Sequence, residues 1–218
     1  MDLIGKCPPK PDSLTAADDR GFDAVELYLT RDHIDNYEEM LAVIREAPAN
    51  IASIHTPHVT PEEHFYFAKS DNLAKAVDAT LVVHSQYLHH THIEEMEAMD
   101  FDAQYGYENI PGASQFHLEN AILERGLDLI LDTAHLYIAE REYQRALEDL
   151  LDRYGPDIPV VHLNDSTIVK DGLPFGEGNI DLEKTVTILD NYYTGRVVLE
   201  VMPEYQADAL RQTLAILD

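Results

Sequence analysis

Six side chains have the types and positions to do chemistry: His55, His84, Glu108, Asp132, His162 and Glu200. Each lies at the end of a different short apolar run. Imidazoles and carboxylates placed there are the groups that hold divalent cations or move protons. Burying a carboxylate costs several kcal/mol unless something positive answers it. A lone run-end histidine such as His84 is most simply a hydrogen-bonded rim residue. Six such groups together are harder to reduce to packing. Oxygen and nitrogen donors without sulfur suit Zn²⁺, Mn²⁺ or Mg²⁺, and the imidazoles favour the first two. Cys7 is the sole cysteine, which excludes an intrachain disulfide and a thiolate site.

The apolar runs that would position these groups cover residues 3–7, 24–29, 51–55, 80–84, 105–110, 127–132, 159–164 and 196–202. Several are continuous in Val, Ile and Leu, as parallel strands buried on both faces are. Helical patterns separate them. Ile34, Tyr37, Leu41 and Ile44 follow Asp32, an expected N-cap, and stop before Pro48. Ser114 is expected to cap a helix ending at Gly126. Ala146, Leu147, Leu150 and Leu151 form a stripe ending at Gly155, and Leu210, Leu214 and Leu217 mark the last helix. The segments after the first and fourth runs read as shorter helices.

Eight strand–helix units without a composition break predict an α/β fold, a single (β/α)8 barrel spanning residues 1–218 as one compact domain. Reactive residues then gather at the C-terminal ends of the strands. Lys6 and Glu26 are further candidates to face the pocket, Glu26 either as a hydrogen-bonding rim residue or as a substrate contact. His89, His90 and His92 read as a polar loop. Gly176 and Gly178 read as a tight turn, since no phosphate-loop lysine follows them.

Hydrophobic residues make up 45% of the chain and charged residues 26%, ordinary for a globular protein. The formal net charge of −26 is not ordinary. Such a field repels polyanions, so nucleic acid is not the expected partner. Acidic, lysine-poor composition also fits a salt-rich cytosol. No apolar run approaches the roughly 20 residues needed to cross a bilayer. The first ten residues lack a signal-peptide apolar region, so no membrane partner and a cytoplasmic location are expected. A homo-oligomer stays open.

The chain resembles the xylose-isomerase-like barrel superfamily, which holds sugar isomerases and epimerases beside endonuclease IV enzymes. The ordered motifs are Gly21-Phe-Asp-Ala-Val-Glu-Leu27, Ser53-Ile-His-Thr-Pro57, Val82-Val-His84, Glu108-Asn-Ile-Pro-Gly112, Leu131-Asp-Thr-Ala-His135, His162-Leu-Asn-Asp165 and Gly176-Glu-Gly-Asn-Ile180, closed by Glu200. In the epimerase branch the resemblance implies one divalent ion on Glu108, Asp132, His162 and Glu200. The two glutamates there take and return a substrate proton, and His135 contacts substrate oxygens or orients Asp132. In the endonuclease branch His55 and His84 add a second ion that shares Glu108. That branch also expects an Asp and a His just before Gly176, where Lys170 and Gly172 stand, which would leave His135 without partners. The epimerase branch expects an arginine where Ser166, Thr167 and Ile168 occur, and Lys170 is the candidate substitute as a substrate contact. The implied substrate is a small carbohydrate: a sugar, sugar phosphate or polyol. Phosphodiester cleavage, a lyase or dehydratase reaction and a non-catalytic binding barrel are the alternatives.

Overall fold

The computed structural model describes residues 1–84 and 88–218. Backbone packing groups them into two compact units, residues 4–108 and residues 109–218 with 1–3.

In the first unit the strands are β1 (Asp2–Cys7, its first residues belonging to the second unit), β2 (Ala24–Tyr28), β3 (Asn50–His55), β4 (Thr80–Val83) and β5 (Tyr105–Glu108). The helices are α1 (Pro11–Asp19), α2 (Arg31–Asp35), α3 (Tyr37–Arg45), α4 (His64–Ala76) and α5 (His90–Glu97). The second unit holds β6 (Leu129–Asp132), β7 (Val160–Leu163), β8 (Asp165–Thr167), β9 (Lys170–Leu173) and β10 (Arg196–Leu199). With them come α6 (Gln115–Ala121), α7 (Thr133–Ala139), α8 (Tyr143–Tyr154), α9 (Leu182–Tyr192) and α10 (Pro203–Leu217). Eight strands close a parallel barrel in the order β1-β10-β7-β6-β5-β4-β3-β2, as the alternating pattern predicts.

The apolar runs form strands because both of their faces are covered. Leu81, Val82 and Val83 of β4, Leu129 to Leu131 of β6, and Val197 to Leu199 of β10 are all fully buried. Each buried aliphatic side chain contributes about 1.5–3 kcal/mol. On α8, Tyr143, Ala146, Leu147, Leu150 and Leu151 are buried at helical spacing, so one stripe packs inward. Among the described residues no helix is long and apolar enough to cross a membrane.

Several local readings change. Thr30, not Asp32, caps the helix after β2: its hydroxyl accepts the His33 amide, and the helix breaks at Asn36 into α2 and α3. Ser114 does cap α6, but that helix ends at Ala121, and a short 3-10 turn carries the chain to Gly126 in the left-handed region. Gly155 follows α8 in the right-handed region and enters another 3-10 turn. His90 and His92 lie on α5, whereas His89 precedes it as the N-cap residue, so the polar-loop reading holds for His89 alone.

The β8–β9 hairpin is an addition to the eight units, and one carboxylate organises the turn beyond it. Asp165 accepts backbone amides from Ser166 at 2.8 Å, Gly176 at 2.9 Å, Gly178 at 2.8 Å and Ile180 at 3.1 Å. A Cβ on residue 178 would collide with that carboxylate and with the Ser166 amide, so glycine is required there. Gly176 and Gly178 are thus a turn wound around Asp165.

Candidate metal centre

In the first unit the strand ends β3, β4 and β5 bring His55, His84 and Glu108 together. Glu108 Oε2 lies 2.9 Å from His55 Nε2 and 2.7 Å from His84 Nδ1. His55 Nδ1 is 2.7 Å from the Thr56 carbonyl. A carbonyl oxygen only accepts, so Nδ1 carries a proton and Nε2 faces the carboxylate. That contact then needs a proton, on Nε2 or on Glu108, or a cation shared between the two. Burial, reinforced by the Lys6 ammonium, lowers the His55 pKa and so works against the proton. The donor set therefore fits a divalent ion.

His58 is a candidate that sequence reasoning missed. Its ring stacks on His84 at 4.0 Å and lies 5.4 Å from His55. Ligand nitrogens of His55, His58 and His84 can all lie within 4.8 Å of one another. Although His58 is an exposed residue, desolvation of its ring against its neighbours and the adjacent imidazoles push its pKa down to about 4, which favours a neutral ring able to donate a lone pair. The available signal was its place three residues beyond a run-end histidine. Below this cluster Lys6 pairs with Glu26 at 2.9 Å, and the Ser53 hydroxyl donates to the other Glu26 oxygen at 2.8 Å. Glu26 is fully buried in that polar layer.

In the second unit Asp132 ends β6 and caps α7. Its Oδ1 accepts the His135 amide at 2.8 Å, and Oδ2 accepts the Asn164 side-chain amide at 3.1 Å. Asn109 holds the Asp132 backbone from both sides, donating to its carbonyl and accepting its amide. His162 Nδ1 lies 3.0 Å from Glu200 Oε2. Asp132, His162 and Glu200 each offer one ligand atom, and these atoms lie within 4.8 Å of one another. Two carboxylates so close would repel unless a cation sat between them, and with the imidazole this set also fits a divalent ion. Asp132, already fixed by two hydrogen bonds, keeps lone pairs for such an ion.

His135 is not without a partner. Its Nδ1 donates to the Asn109 carbonyl at 2.6 Å, and its Nε2 lies 3.0 Å from Asp171 Oδ2 on β9. With the Nδ1 proton committed, Nε2 needs its own proton to face a carboxylate, so the ring is an imidazolium. The bond from His135 holds the Asp171 carboxyl below its usual value. Asp171, between Lys170 and Gly172, is thus a second residue that sequence reasoning passed over. Lys170 itself is exposed at the start of β9.

A family model described as the xylose isomerase-like TIM barrel matches residues 14–218. No curated protein matches the sequence. Among solved structures, a D-tagatose 3-epimerase-like protein is similar at 19% identity and a TM-score of 0.75, over 99% of this chain and 98% of the other. The apo 3-keto-D-glucoside 4-epimerase YcjR from E. coli is similar at 18% identity and a TM-score of 0.70, over 99% and 98%. An AP endonuclease, family 2, from Brucella melitensis is similar at 14% identity and a TM-score of 0.72, over 98% of each chain.

Proposed function

The chain belongs to the xylose isomerase-like TIM barrel family, and from that premise we propose that it is a divalent-metal-dependent isomerase or epimerase of a small sugar, sugar phosphate or polyol. One observation carries the reading: ligand atoms of Asp132, His162 and Glu200 in the second unit cluster within 4.8 Å. A bound Zn²⁺ or Mn²⁺, with Mg²⁺ as the third option, would polarise a ketose carbonyl and its neighbouring hydroxyl, acidifying the adjacent C–H. Asp132 and His162 act as fixed ligands. Glu108 and Glu200 also take the proton from carbon and return it, so the product differs from the substrate in configuration or carbonyl position. His135 Nδ1 is committed to the Asn109 carbonyl, so Nε2 is the atom that reaches a substrate oxygen, in place of Asp171. Lys170 is a second substrate contact from the hairpin, and Glu26 acts through Lys6. Epimerases among the similar structures support the sugar class.

The test is solvent exchange. Purified protein with Mn²⁺ is incubated with candidate ketoses in D₂O, and deuterium at the carbon next to the carbonyl is read by NMR. Glu200→Gln is expected to lower exchange by at least about 10²-fold, the scale of a lost general base, while the melting temperature stays near the parent's. A fully active Glu200→Gln protein would sink the assigned role.

The trio His55, His58 and His84 beside Glu108 favours a second reading, a two-ion phosphodiesterase. Elemental analysis separates the two. One ion per chain supports the isomerase, whereas two ions with cleavage of an abasic duplex support the phosphodiesterase.

A further inference from the structure

A groove of about 530 Å³ opens in the second unit between the end of α7, the start of α8 and the segment leading into α9. Its floor is aromatic: Tyr137 and Tyr143 pack edge to face at 5.0 Å, and the Tyr143 hydroxyl is held by Thr185 at 2.8 Å. Its walls carry Arg141, Arg145 and Lys184. The whole chain has 15 basic residues against 41 acidic ones, so three of them on one groove is a concentration. The lining acids are Glu142 and Asp181, which leaves the groove with one net positive charge in a protein of −26.

Those acids do not neutralise it. Asp181 is engaged in capping α9, its Oδ1 accepting the Lys184 backbone amide at 3.1 Å. Arg145 reaches Glu142 only at 3.9 Å and Asp149 only at 4.0 Å, and all three side chains are exposed, so these pairs contribute little. Among the described residues, neither Arg141 nor Lys184 has a carboxylate within ion-pairing distance. Cations standing clear of carboxylates, in a chain with so many to choose from, suit an anion supplied from outside. Arginine forks match phosphate oxygens two at a time.

The groove also adjoins the reacting end. Asp132 caps α7, His135 lies in its first turn and Tyr137 two residues on. The seven residues of α7 span about 10 Å at 1.5 Å per residue. We propose that Arg141, Arg145 and Lys184 hold the phosphate monoester of a phosphorylated sugar whose carbonyl end lies at the Asp132–His162–Glu200 set. Tyr137 offers its ring to the carbon chain between the two. The proposal rests on the isomerase reading and narrows its substrate class.

Calorimetric titration of the full chain at low ionic strength tests it, with D-fructose 6-phosphate, D-fructose and inorganic phosphate as probes. The phosphorylated sugar is expected to bind at least about tenfold more tightly than D-fructose, and inorganic phosphate to compete with it. Arg141→Ala and Lys184→Ala are each expected to weaken it about tenfold without changing D-fructose binding. Both side chains are exposed, so the fold should survive, and melting curves check that. Equal affinity for the two sugars, or variants that bind like the parent, would overturn the proposal. So would an abasic duplex displacing the phosphorylated sugar in an Arg141-dependent way, which would assign the groove to a phosphodiester. Metal content is measured on the same samples. A chain that binds its ion but ignores the phosphate refutes only this inference. One that discriminates the phosphate but holds no ion on the acidic set refutes only the isomerase reading.

Discussion

Asp171 decides what His135 can do. A neutral imidazole whose Nδ1 proton goes to the Asn109 carbonyl would offer a substrate only a lone pair, whereas the ring facing Asp171 carries a proton at Nε2 that a substrate oxygen can take over from Asp171. The pair joins a side chain that is 9% exposed to one that is 44% exposed, so it contributes at most about 1 kcal/mol. The Asp171 pKa is depressed below 3.8 by His135, so the stabilisation is present above that value. It is lost as pH falls through the depressed pKa. Urea unfolding of the parent and Asp171→Asn should therefore differ by up to about 1 kcal/mol near pH 6, the gap closing towards about pH 3. A gap that widened in acid would contradict the pairing. The residues legible in the sequence were those closing apolar runs, because a buried strand announces its end. Asp171 was not legible, since it sits in the polar stretch 165–173. His58 was not, since the loop after β3 has no periodicity to mark which side chains join the strand-end cluster.

The β8–β9 hairpin and the turn after it form an element only because Asp165 ties four amides together. Strands of three and four residues carry no alternation long enough to read, and Ile168 and Val169, apolar in sequence, stand 71% and 85% exposed. The barrel strands were legible for the opposite reason, since burial on both faces leaves continuous aliphatic runs. The break at Asn36 was illegible because its apolar spacing continues unbroken from Ile34 to Ile44 while the backbone departs from helix at one residue. Gly178→Ala forces a methyl group against the Asp165 carboxylate, and crowding of that kind costs about 1–3 kcal/mol. Asp165→Ala instead orphans the amides of Ser166, Gly176, Gly178 and Ile180. Hydrogen exchange at Gly176, Gly178 and Ile180 is expected to accelerate in both variants, while exchange in β4 stays at the parent's rate. Uniform acceleration across the chain would mean that the turn is part of the global core and not a local device.

For the whole molecule the governing quantities are one closed sheet and a charge of −26. A barrel strand set opened at any point presents unpaired edges, and the residues of β1 are themselves shared between the two compact units. The expectation from sequence of one domain over residues 1–218 thus translates into a single calorimetric transition, and two separable transitions would refute it. The charge acts in the other direction. Carboxylates that repel one another favour the expanded chain, and the repulsion is felt over a screening length of about 10 Å at 0.1 M salt and about 3 Å at 1 M. Raising KCl across that range should lift the transition by at least about 4 °C, the shift produced by 1–2 kcal/mol in a domain of this size. The same salt should weaken phosphate binding at the exposed Arg141 and Lys184, because those contacts are screened along with the repulsion. Stability and ligand affinity are therefore expected to move oppositely with ionic strength. If both rose together, the acidic surface would have to be acting through specific cation binding instead of through general screening.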